Sequence, residues 1–64
     1  MRFHVQNMTC GGCARGVTKA VRSVDPAAGI EIDLDARTVE LTTAQPAAAL
    51  IAALDTAGFQ AVPA

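Results

Sequence analysis

Cys10 and Cys13 are the residues of this chain best suited to chemistry, and only Gly11 and Gly12 stand between them. Two thiolates at that spacing can bring both sulfurs to one point if the backbone between them turns sharply. Glycine reaches backbone angles that other residues avoid. Downstream, Ala14, Val17, Val21 and Val24 recur at helical spacing, which predicts a helix from about Cys13 to Val24 with Cys10 in the loop before it. Both thiols then lie near the unpaired N–H groups of a helix N-terminus. Such a site favours anions and draws a thiol down from its reference pKa of about 8.5, populating the thiolate that binds metal.

The donor inventory narrows the ion. A closed structural zinc site needs four donors, whereas this chain holds two cysteines, one histidine and two methionines. His4 lies on a different segment. Thiolate softness favours Cu(I), a soft ion of low coordination number; Zn(II) is accommodated if water or a partner protein supplies the missing ligands.

Hydrophobic periodicity outlines the elements that position the clip. Residues 2 to 7 alternate, with Phe3 and Val5 on one face and Arg2, His4 and Gln6 on the other, as in a half-buried strand. His4 therefore faces solvent. The first helix ends near Asp25 and Pro26, where proline cannot continue it. Arg15, Lys19 and Arg22, at spacings of four and three, form a basic stripe beside the clip. A second strand, Ile30 to Leu34, turns its three aliphatics inward, and a third, Thr38 to Thr42, does the same with Val39 and Leu41. The link Asp35-Ala36-Arg37 makes them a hairpin. A second helix is predicted from about Pro46 to Ala57, with Leu50, Ile51 and Leu54 inward and Gly58 closing its end. Phe59 to Val62 forms the last strand. The order strand, helix, strand, strand, helix, strand predicts an α+β fold on the split βαβ plan. Two helices cover one face of a four-stranded antiparallel sheet, and Phe59 comes toward Cys10 and Cys13 from the loop before the last strand.

At 64 residues the chain reads as one domain, 1–64, near the lower size limit for an unaided core. Its 52% hydrophobic content is mostly alanine and valine, and aromatic residues make up only 3%, so packing rests on aliphatic contacts. A net charge of -1 excludes a strong general attraction to nucleic acid. The N-terminus lacks a secretory apolar run, and the longest apolar stretch, from Pro46 to Leu54, is too short to span a bilayer. The expectation is a cytoplasmic protein without membrane insertion. There a paired cysteine motif points to metal binding or redox chemistry rather than to a structural disulfide.

Met8-Thr9-Cys10-Gly11-Gly12-Cys13-Ala14 resembles the signature of the heavy-metal-associated domain family, which includes copper chaperones and the N-terminal modules of copper-transporting ATPases. The order of segments and the late Ala57-Gly58-Phe59 are similar too. The resemblance implies a ferredoxin-like fold and a non-enzymatic carrier. One Cu(I) would be bound by Cys10 and Cys13 and passed to the metal-binding domain of a copper-transporting P-type ATPase or a similar acceptor. Met8 would anchor the loop to the core, Thr9, Gly11, Gly12 and Phe59 would surround the ion, and Arg15, Lys19 and Arg22 would dock an acidic partner. Asn7 departs from the pattern, in which glycine often precedes the methionine; asparagine tolerates unusual backbone angles. An exposed thiolate pair suits a metal-free monomer and also a metal-bridged homodimer. Three alternatives compete: an ATPase-derived module, a carrier of Zn(II), Cd(II) or Hg(II), and a dithiol oxidoreductase. Thr9 stands where carriers of those divalent ions often have an acid.

Overall fold

The computed structural model describes residues 1–64. In chain order it comprises β1 (Arg2–Val5), α1 (Gly11–Val24), β2 (Gly29–Asp33), β3 (Thr38–Thr42), α2 (Ala47–Thr56) and β4 (Ala61–Pro63). The four strands form one sheet in the order β2-β3-β1-β4, and every neighbouring pair is antiparallel. This is the expected ferredoxin-like arrangement. The two connections that carry helices each skip a strand position, so β1 and β3 become the central strands.

Alternation places the core. Phe3 and Val5 of β1 and Val39 and Leu41 of β3 meet Val17, Ala20 and Val21 of α1 and Leu50 and Leu54 of α2. Met8, Ala28 and Ala61 complete a single cluster that contains no buried polar group. Each fully buried leucine contributes about 1.5–3 kcal/mol of transfer free energy to this layer. The opposite sheet face is polar. Arg2 Nε meets Glu40 Oε2 there at 3.0 Å, the only ion pair in the chain.

Strand β1 ends at Val5, two residues short of the predicted end, and at four other boundaries a specific hydrogen bond or conformation explains the difference from the sequence expectation. Helix α1 starts at Gly11 rather than Cys13, since Cys10 is its N-cap. Strand β2 ends at Asp33, and Leu34 is exposed in the turn instead of facing inward. In that turn Asp33 Oδ1 accepts the Ala36 N–H at 3.1 Å and Arg37 adopts φ 57, which breaks the two-residue alternation. Helix α2 starts at Ala47, with Pro46 as N-cap rather than in the first turn. Strand β4 starts at Ala61 rather than Phe59. Here Gly58, at φ 93, closes α2: its N–H donates to the Asp55 carbonyl at 2.9 Å while the Phe59 N–H donates to the Leu54 carbonyl at 2.8 Å. That paired pattern, with a left-handed glycine just past the helix end, is a Schellman motif. It uses the Phe59 amide before the ladder can.

Three connections meet at one end of the sheet. The segment from β1 to α1 holds the cysteines, and the β2–β3 turn reaches it through Arg37, whose carbonyl accepts the Val5 N–H at 2.8 Å and whose Nη1 donates to the Gln6 carbonyl at 3.2 Å. The segment between α2 and β4 reaches it through Asn7, which bonds Gly58 and Gln60.

Candidate metal centre

The cap of α1 sets the position of both thiols. Cys10 has an extended backbone (φ -148, ψ 169); its carbonyl accepts the Ala14 N–H at 3.0 Å and its Sγ accepts the Cys13 N–H at 3.3 Å. A thiol thus takes the place that serine, threonine or aspartate usually fills at a helix N-cap. Cys13, one turn on, is held by the helix and packs against the core, whereas Cys10 is exposed. Both are free cysteines. The two sulfurs are 3.0 Å apart, a thiol hydrogen bond.

That separation is shorter than a bound ion allows. With metal–sulfur bonds of about 2.3 Å, two thiolates stand about 3.8 Å apart on a tetrahedral ion and about 4.6 Å apart on a linear one. Loading must therefore spread the pair, and Cys10, outside the helix and in solvent, has the room to move.

The glycines act differently from the expectation. Neither Gly11 nor Gly12 has a positive φ; both lie in the first turn of α1. A Cβ at Gly11 would meet nothing within 4 Å, and one at Gly12 would meet only Cys10 Sγ, at 3.8 Å. The fold itself would accept side chains here. What the glycines provide is an uncovered approach to the sulfurs.

Electrostatics favours the anionic form at Cys13. The hydrogen bond from the Cys10 thiol, followed by backbone hydrogen bonding with Thr9, holds the Cys13 thiol below its ordinary value, against a smaller upward push from desolvation. For an acid the sign is direct: depression means more thiolate at any pH below the ordinary value. Alkylation of Cys13 followed against pH should then rise through a midpoint below that of an ordinary thiol. In a Cys10→Ala protein, which lacks the donor, the midpoint should move up. An unmoved midpoint would show that the neighbouring thiol has no such influence.

The remaining sequence candidates divide clearly. Met8 is fully buried, as an anchor should be, and Thr9 is exposed. Phe59 is half-buried, and its ring lies over Gly16, where an added Cβ would stand 3.0 Å from Cζ and 3.1 Å from Cε2. Since Gly16 follows Cys13 by one helical turn, Phe59 reaches the helix that carries Cys13. Arg15, Lys19 and Arg22 are exposed and free of ion pairs. No group of three or more His, Cys, Asp or Glu side chains gathers anywhere, so His4 adds no third donor. Sequence reasoning missed Gly16 and the bonding role of Asn7. A glycine inside a helix costs roughly 1 kcal/mol relative to alanine, and that cost was the available sign of a close approach at Gly16. Nothing local announces the partners of Asn7.

The family model for the heavy-metal-associated domain matches residues 2–60. Among solved structures, a gold-binding protein is 41% identical, with 95% of this chain and 94% of that chain covered at a TM-score of 0.91. The copper chaperone Atx1 from Synechocystis PCC6803 is 32% identical, with coverage of 97% and 98% and a TM-score of 0.94. A cyanobacterial copper metallochaperone, ScAtx1, is 32% identical, with 97% of both chains covered and a TM-score of 0.79. No curated protein matches the chain at a significant level. No helix is long and apolar enough to cross a membrane.

Proposed function

The chain belongs to the heavy-metal-associated domain family, whose members carry metal rather than catalyse, and from that premise we propose that residues 1–64 form one carrier unit for Cu(I). Cys10 and Cys13 are its ligands. The observation that carries the reading is the thiol pair at the N-cap of α1, 3.0 Å apart, with glycine between and no third donor nearby. Two thiolates and no further ligand suit a soft monovalent ion and leave a divalent one under-coordinated.

Transfer follows from the same geometry. An incoming thiolate approaches over Gly11 and Gly12, adds to the exposed ion and makes it three-coordinate. Cys10, the ligand outside the helix, then leaves first, and Cys13 follows once a second acceptor thiolate has added. Copper is never released to water. The acceptor is the metal-binding domain of a copper-transporting P-type ATPase or a protein with a similar site. Its acidic surface faces Arg15, Lys19 and Arg22, charges that steer encounter and set orientation more than they add affinity. The work belongs in the cytoplasm, where thiols stay reduced.

The gold-binding neighbour supports a second reading, in which another soft monovalent ion is the cargo. Titration of the reduced protein with Cu(I), against a chelator of known affinity, tests the first. One equivalent retained is the expected result; indifference to Cu(I) while a different soft ion is held would transfer the assignment to that ion.

A further inference from the structure

Asn7 lies one residue before the buried Met8 and three before Cys10. Arg37 is the only non-glycine residue at positive φ, so the backbone at position 7 does not call for asparagine. The side chain does the binding: Nδ2 donates to the Gly58 carbonyl at 2.8 Å, and Oδ1 accepts the Gln60 N–H at 3.1 Å. The β1–β4 ladder ends at the pair Val5 and Ala61. Beyond it, the Asn7 amide stands in for the next peptide group and bonds the backbone on both sides of Phe59. Phe59 in turn rests on Gly16, one turn past Cys13. These contacts close a circuit from the cysteine loop through Asn7, Phe59 and α1 back to the thiols.

We infer that Asn7 is a positioning residue for the thiol pair, an inference that rests on Cys10 and Cys13 being the ligands. Its amide clamps the cysteine loop to the Phe59 segment, so that in the metal-free protein Cys10 is already held facing Cys13. Asn7 makes no hydrogen bond to either sulfur. Its effect on metal is therefore indirect. Without the clamp the loop samples arrangements in which Cys10 is turned away from Cys13, beyond the small spread that loading needs, and apparent affinity falls by the fraction of time the two face each other.

The test compares the parent chain with Asn7→Ala and Asn7→Asp in the reduced state. Alanine removes both bonds. Aspartate keeps the acceptor for Gln60 but sets a second oxygen against the Gly58 carbonyl. Cu(I) affinity by chelator competition is read beside hydrogen exchange of the Gln60 amide, below the melting transition of each protein. Asn7→Ala should exchange the Gln60 amide faster and hold Cu(I) about fivefold more weakly, as expected when two net hydrogen bonds no longer bias the loop, and Asn7→Asp, which keeps the Gln60 bond, should lie between the parent and Asn7→Ala in both readouts. A residue that merely supports the fold would lower the melting temperature and leave the affinity of the folded protein unchanged; that result in Asn7→Ala overturns the clamp. If the parent itself ignores Cu(I), the cargo assignment fails instead, and the two failures are told apart by the parent alone.

Discussion

Serine at position 10 or at position 13 is expected to weaken Cu(I) retention on the order of a thousandfold or more, equivalent to about 4 kcal/mol. The hydroxyl is a hard donor that stays protonated at neutral pH, so each variant leaves a single thiolate where the ion had two. Chelator competition reads the loss directly. What makes the experiment informative is the place of Cys10 in the fold. It caps α1 through its sulfur, and serine is a better capping residue than cysteine. Cys10→Ser should therefore melt at or above the temperature of the parent while losing its metal. If both properties fell together, the loss would reflect unfolding; if copper stayed, the ligand assignment would be wrong.

Met8→Ala carries the largest expected effect on stability. The side chain is fully buried in the core cluster, and truncating a buried methionine to alanine costs about 2–5 kcal/mol through lost transfer energy and the cavity left behind. A chain of this length has roughly 3–10 kcal/mol in all. Urea unfolding of the reduced, metal-free protein should show the midpoint falling steeply. Met8→Leu, which nearly conserves volume, should cost less than about 1.5 kcal/mol and retain Cu(I) like the parent. That contrast separates anchor from ligand. A leucine variant that folds normally yet releases its copper would make the Met8 thioether a donor, contrary to its burial.

Much of the architecture was legible because each element is half-buried and so carries its period in its composition. Phe3 and Val5 alternate along β1, Val39 and Leu41 along β3, and Val17 and Val21 recur on α1. The errors cluster where a distant group or an unusual backbone decides. Leu34 continues the alternation of β2 on paper, but a left-handed Arg37 three residues later has already started the turn. Phe59 and Gln60 look like strand, yet their amides are taken by Leu54 and Asn7. Helix α1 starts two residues before the point its apolar spacing predicts, because a thiol serves as its cap.

The candidate site divides in the same way. Cys10 and Cys13 were visible because a local spacing encodes them. The buried Met8 followed from the family likeness, and the expected approach of the Phe59 loop followed from topology. The bonds of Asn7 reach across 51 and 53 residues, and no window of sequence contains both ends.

The basic stripe and the thiols share one helix but not one fate. When the ion leaves, Cys10 and Cys13 change, whereas Arg15, Lys19 and Arg22 remain on the body of α1. Under the proposed function, a spent copy would thus berth by the same charges as a laden one and occupy the same place on the receiving protein. Delivery would then depend on the ratio of filled to vacant copies in the pool, with vacant copies competing for the berth they have just left.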